Sequence, residues 1–230
     1  MKHIGIVACS SEGAALCFRE ICSEGFKLQG EHTYPEITLH SFPMSKYMAY
    51  VQLLDWEGVA DVLIESARKV ASAGAEFLIC PANTAHAAFP FLKNRLPIPW
   101  LHIGEVVAEM ADSIGYRKLG ILGTKILMDS SIYPDVLKRF SIDSFTPGEV
   151  TKERINELIY NELVSGSFTD ETRAYFVEII SELQTMGCDA VVLGCTEIPL
   201  VVCQQDVDIP LLDSTRLLAA AALKRAVGGV

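Results

Sequence analysis

No apolar run in the 230 residues reaches the roughly eighteen needed to cross a bilayer, so no membrane-spanning helix is expected. Basic residues are scarce beside acidic ones: 19 Lys and Arg against 29 Asp and Glu, a net charge of -10 and a pI near 5.0. Phosphate backbones are gripped by clustered Lys and Arg, so nucleic acid is excluded as a partner. A small anion is not excluded, because local donors can hold one on an acidic chain. The seven cysteines (Cys9, Cys17, Cys22, Cys80, Cys188, Cys195 and Cys203) are odd in number, and none forms a C-x-x-C pair, which argues against zinc ribbons and dithiol redox motifs. There is no P-loop, no G-x-G-x-x-G, no H-E-x-x-H and no G-x-S-x-G. The expected chemistry therefore uses neither a metal nor a cofactor. The opening "MKHIGIVACSSEG" is basic then apolar, but its apolar part is too short for a secretory leader and reads as a first strand. Free thiols in a reducing cytoplasm are the expectation that follows.

What is present is an alternation. Short β-branched apolar runs fall at 3–9, 36–42, 76–81, 98–103, 118–124, 190–195 and 209–214, each with the continuous apolar character of a strand covered on both faces. Helical patterns lie between them. Residues 53–74 stop at Gly74, residues 168–187 start on a Thr-Asp cap and stop at Gly187, and residues 214–227 carry Lys and Arg in the last turns, where the helix dipole favours them. Strand, helix, strand in this order predicts an α/β fold with parallel sheets and right-handed crossovers.

The two halves also repeat. "IGIV" at 4–7 matches "LGIL" at 119–122, "GAEFLICPAN" at 74–83 matches "GCDAVVLGCT" at 187–196 without a gap, and "IPWLHI" at 98–103 matches "IPLLDS" at 209–214. Three matches in one order, each at the same kind of element, predict two similar lobes, 1–100 and 101–213. The final helix, 214–227, is expected to pack back on the first. Ligands of such folds sit at the carboxyl ends of strands, between domains. Those ends are Cys9-Ser10-Ser11-Glu12, Cys80-Pro81-Ala82-Asn83-Thr84, Gly123-Thr124 and Gly194-Cys195-Thr196-Glu197. Their hydroxyls, amide and backbone N–H groups suit a carboxylate.

Cys195 is the foremost chemical candidate. It follows a glycine at a strand end, and helix N–H groups at such a turn are expected to lower the thiol pKa and favour a thiolate able to take or return a proton. The plainer alternative is a buried structural cysteine. Asn83 and Thr84 suit substrate binding and helix capping equally. His86 reads as a surface or capping histidine before a catalytic one, Cys80 as core, and Glu12 and Glu197 as residues that cap or orient their neighbours. Cys195 aligns with Ala82, which cannot carry a proton.

"GCTEIP" at 194–199, "ANTAH" at 82–86, "LGT" at 122–124 and the opening strand with its turn together resemble the aspartate/glutamate racemase family, over nearly the whole chain. The resemblance implies two pseudo-symmetric flavodoxin-like lobes, commonly a homodimer, and cofactor-independent inversion at Cα by two groups on opposite faces of an amino acid. It matches Cys195 to the second-lobe catalytic cysteine. It also matches Asn83, Thr84, Thr124 and Thr196 to positions that hold the substrate carboxylate and amino group, and Ser10 to a first-loop position. The lysine that aspartate racemases often use for the distal carboxylate falls at Val164 here, and Lys46 is the substitute cation. The first-lobe cysteine position is Ala82. Four readings of that departure stay open. The chain is a one-cysteine racemase with another donor (water, Ser10 or Cys80), a single-thiol enzyme such as a decarboxylase, a non-catalytic binder of an amino acid or dicarboxylate, or a chain whose turnover the alanine blocks.

Overall fold

All seven apolar runs form strands in the computed structural model, which describes residues 1–228. The chain runs β1 (Ile4–Ala8), α1 (Ser11–Gln29), β2 (Ile37–Ser41), α2 (Met44–Val51), α3 (Trp56–Ser72), β3 (Phe77–Ile79), α4 (Phe89–Leu92), β4 (Trp100–Leu101) and α5 (Ile103–Ile114). It continues through β5 (Lys118–Leu122), α6 (Lys125–Met128), α7 (Ile132–Leu137), β6 (Asp143–Phe145), α8 (Glu149–Asn161), α9 (Asp170–Thr185), β7 (Ala190–Leu193), α10 (Ile198–Val201), β8 (Leu211–Asp213) and α11 (Ser214–Val227). The strands make two four-stranded parallel sheets flanked by helices, in the orders β2-β1-β3-β4 and β6-β5-β7-β8. Both sheets thus have one topology. The chain divides into a unit of Met1–Val106 with the last helix from Thr215, and a unit of Val107–Ser214.

The sequence repeat is carried down to single hydrogen bonds. Ile4 pairs with Phe77 and Leu119 with Ala190; Leu78 pairs with Trp100 and Val191 with Leu211. The backbone N–H of Glu76 donates to His3 O at 2.9 Å, and that of Asp189 to Lys118 O at 2.7 Å. In return, the His3 N–H donates to the Glu76 carboxylate at 3.0 Å and the Lys118 N–H to the Asp189 carboxylate at 2.9 Å. Each acidic side chain therefore closes the entry to its central strand in the same way. Helices α3 and α9 both run out into glycines with φ near +100° and +90°, Gly74 and Gly187, where only glycine is unstrained.

Alternation along the strands sends successive residues to opposite sheet faces. In the first unit Ile4, Ile6 and Ala8 join Phe77 and Ile79 in one core with Ala14, Cys17 and Ile21 of α1, Ile103 and Val106 of α5, and Leu218, Ala219, Ala222, Leu223 and Ala226 of α11. The opposite face of β1 presents Gly5 to Val70 and Ala75. In the second unit Leu122, Val191 and Leu193 pack with Ile155, Leu158 and Ile159 of α8 and Phe176, Ile179, Ile180 and Leu183 of α9.

Candidate functional site

The GCTE turn that ends β7 is built by close approach. The Gly194 N–H donates to Leu122 O at 2.7 Å, and a Cβ on Gly194 would lie 2.4 Å from Leu127 Cδ2 and 2.9 Å from Leu122 O. At Gly123 a Cβ would meet Leu127 Cδ2 at 2.7 Å. Gly194 meets backbone too closely to carry a Cβ, so that position requires glycine for want of space, whereas at Gly123 a Cβ would have to displace the end of the Leu127 side chain. The turn then presents Cys195 and Thr196 half-buried, with Glu197 buried behind them.

One carboxylate oxygen ties the three together. Glu197 Oε2 accepts from Cys195 Sγ at 2.9 Å and from Thr196 Oγ1 at 2.8 Å. The expectation of a lowered thiol pKa is corrected here. Backbone N–H groups of Thr196 and Glu197 do pull in that direction, but burial is the larger effect, and the Glu197 charge and hydrogen bond add to it, so the Cys195 thiol is pushed well up. A four-residue helix, α10, begins only at Ile198 and adds little. Burial also raises the Tyr160 phenol at the end of α8, and the charges of Cys195 and Glu197 act on it in the same sense, which puts this tyrosine in the electrostatic neighbourhood of the pair. Thr124, in the same unit, is the N-cap of α6 and accepts from Leu127 N–H at 3.3 Å.

The corresponding turn in the first unit carries no thiol at the matching position. Asn83 is buried and Thr84 half-buried at the start of a short 3₁₀ turn spanning Thr84–Ala88. His86 is 3% exposed and fully engaged. Its Nε2 faces two donors, the Trp100 indole N–H at 3.2 Å and the Ile103 N–H at 3.5 Å, so it is the acceptor; Nδ1 therefore carries the proton and donates to Ala82 O at 2.9 Å. Burial, then the adjacent His102, hold its pKa well below the usual range. His86 is neither surface nor cap: it is a neutral brace that holds the Ala82 carbonyl. Ser10 is the N-cap of α1 and accepts from Gly13 N–H at 3.3 Å. Cys80 is wholly buried with its sulfur 3.8 Å from that of Cys9, and that contact and burial raise its pKa. Lys46, on α2, pairs with Glu65 at 2.7 Å and lies 3.8 Å from the centre of the Phe42 ring, which Lys69 approaches at 4.1 Å. Val164, the other position weighed for the distal carboxylate, is half exposed in a short turn. No cluster of three His, Cys, Asp or Glu side chains suited to a metal occurs among the described residues.

Within each unit the structure brings together Cys195, Thr196 and Glu197 on the one hand, and the Asn83–Thr84 turn, Trp100 and His86 on the other. Glu197 is the residue that sequence reasoning undervalued. Its place two positions after the cysteine was visible, but its burial was not.

Comparison with known proteins places the whole chain. The family model described as Asp/Glu/Hydantoin racemase matches residues 13–222. The broad specificity amino-acid racemase RacX of Bacillus subtilis (strain 168) is 24% identical over 205 residues, covering 89% of this chain and 87% of the relative. A glutamate racemase of Pseudomonas aeruginosa is 29% identical over 152 residues, covering 63% of this chain and 51% of that protein. Among solved structures, a candidate Asp/Glu racemase from Yersinia pestis superposes with a TM-score of 0.91 at 30% identity, over 99% of this chain and 100% of the other. An aspartate racemase homologue from Pyrococcus horikoshii OT3 does so at 0.86 and 28%, again over 99% and 100%. With a match across nearly its full length, the chain belongs to the Asp/Glu/hydantoin racemase family.

Proposed function

We propose that the protein is a cofactor-independent amino-acid racemase of the aspartate/glutamate type, with Cys195 as one acid/base at Cα. The observation that carries this reading is the half-buried Cys195 thiol, set at a strand end directly after the tightly packed Gly194 and hydrogen-bonded to a carboxylate. Family membership supports the reaction class. A half-buried, weakly acidic thiol makes a strongly basic thiolate, the kind of base a poorly acidic Cα–H needs. Substrate-binding roles are assigned to Ser10, Asn83 and Thr84 of the first unit and to Thr124 and Thr196 of the second, whose hydroxyl and amide groups suit a carboxylate or ammonium. Lys46 is assigned to a distal carboxylate; its salt bridge to Glu65 would then have to exchange.

Ala82 favours a second reading, in which proton transfer is one-sided or absent and the chain binds an amino acid or dicarboxylate without inverting it. Deuterium oxide separates the two. Each enantiomer of aspartate, glutamate and a panel of neutral and basic amino acids is incubated with the protein, Cα exchange is followed by NMR, and inversion by chiral chromatography. The expected result is exchange with inversion for at least one amino acid, and its loss in Cys195→Ser with the fold intact. Binding without exchange for any of them would leave the binding-protein reading; undiminished exchange in Cys195→Ser would remove Cys195 from the mechanism.

A further inference from the structure

The peptide unit that joins Leu193 to Gly194 stands directly before Cys195, and both of its polar atoms are held. The Leu193 carbonyl accepts from Ser214 Oγ at 2.9 Å, and the Gly194 N–H donates to Leu122 O at 2.7 Å. We infer that Ser214, oriented by Tyr133, is a positioning residue that locks this peptide plane and so aims the Cys195 thiol. The inference rests on the racemase reading of the function and deepens it.

The need for a lock follows from the glycine. Gly194 has no room for a Cβ beside Leu122 O, yet a residue without one has the widest choice of backbone angles, and the next side chain swings with them. A peptide plane held only through its N–H can still tilt; held through its C=O as well, it cannot. Leu193 and Asp213 are the last matched pair of β7 and β8, so the Ser214 hydroxyl acts where the ladder ends. The first unit supports this by contrast. The repeat matches Gly194 to Pro81 and Ser214 to Ile103. Proline fixes φ with its ring and has no N–H to hold, so the turn there is stiff without a second bond. Ile103 accordingly packs in the apolar core. Ser214 is 0% exposed, and a hydroxyl so deeply buried costs stability unless it is hydrogen-bonded. The fold places that costlier residue in the unit that bears the thiol, at a position where the repeat accepts isoleucine.

Tyr133 of α7 completes the arrangement. Its phenol is buried and hydrogen-bonded to the Ser214 side chain. Because the Ser214 proton goes to Leu193 O, the serine oxygen is left to accept from the phenol, which fixes the rotation of the hydroxyl. Burial, with the Asp213 charge adding to it, keeps the phenol protonated and therefore a donor.

The test compares wild type, Ser214→Ala and Tyr133→Phe on two readings. One is Cα exchange resolved into kcat and KM. The other is the rate of iodoacetamide labelling at Cys195 relative to exposed Cys203 of the same chain, by mass spectrometry. Ser214→Ala is expected to lower kcat about 10-fold, within the roughly 100-fold that a misplacement of about 1 Å can cost, with KM little changed. The labelling ratio is expected to rise, because a loosened thiol is easier to reach. Tyr133→Phe keeps the ring packing and is expected to move both readings the same way by less; it decides alone if Ser214→Ala fails to fold by circular dichroism. A purely structural role would lower Tm while kcat and the labelling ratio, per folded molecule, stay at wild-type values, and that result overturns the inference. So does a raised KM at unchanged kcat, or a labelling ratio that does not rise. Absence of exchange in the wild type with every amino acid tested sinks the racemase reading; the labelling ratio still reports whether Ser214 holds the thiol, so the two failures look different.

Discussion

At the residue scale, what matters is how burial sets protonation. Cys195 and His86 occupy comparable places after the two central strands and are pushed in opposite chemical senses by the same cause. Burial disfavours the charged form of each, so the thiol stays a thiol and the imidazole stays neutral. For His86 this has a measurable consequence. An unfolded histidine takes up a proton as pH falls through its ordinary value of 6.5, whereas folded His86 does not. The unfolded state then binds more protons, and stability falls with falling pH from about 6.5 downward. In His86→Gln, which keeps one donor and one acceptor, equilibrium urea unfolding between pH 7 and pH 5 is expected to lose about one proton's worth of that slope. An unchanged slope would mean that His86 titrates in the folded protein. Cys195 and its flanking Gly and Thr were legible in the sequence as a strand-end motif. The convergence of Cys195 and Thr196 on Glu197 Oε2 was not, because spacing in the chain does not say which way a glutamate turns or how much solvent it keeps.

At the scale of elements, the strands were legible because both faces of each central strand are covered, which demands continuous β-branched apolar runs. Some of the elements that escaped bury little or bury small residues, although α5, with Ile103, Val106 and Val107 buried, escaped as well. Helix α1 buries Gly13, Ala14, Cys17 and Gly25 as well as Leu16 and Ile21, so small residues make up much of its buried face. Helix α8 buries only Ile155, Leu158 and Ile159 in thirteen residues. Strand β6 has three residues, lies at a sheet edge and is partly exposed. The repeat makes a paired prediction here. A Cβ at Gly5 would lie 2.9 Å from Val70 Cγ2 and Ala75 Cβ, and one at Gly120 would lie 2.9 Å from Leu183 Cδ1. Gly5→Ala and Gly120→Ala should each destabilise by about 1–3 kcal/mol, the usual cost of overpacking, seen as a lower Tm for both variants. A neutral or stabilising result at either would show that the strand–helix contact can spread without strain.

At the scale of the whole molecule, the distinctive feature is that the chain's last helix belongs to the core that its first strand begins. Lys2 N–H donates to Ala226 O at 2.8 Å, and Leu218 and Leu223 are at most 1% exposed. Leu218→Ala should cost about 2–5 kcal/mol. In hydrogen exchange the loss of protection is expected to concentrate in β1 and α1, about two hundred positions away in the chain, with α9 and β7 less affected. Uniform loss across both units would show that they unfold as one. The sequence by itself determined every described strand but β6, the repeat and its offsets, the family, and the absence of a thiol at position 82, because each is written in residue identity and spacing. Only the tertiary structure decided that the Cys195 proton rests against a buried carboxylate and that His86 is a neutral brace. Protonation follows from burial and from which side chains meet, and those are settled by packing between segments far apart in the chain.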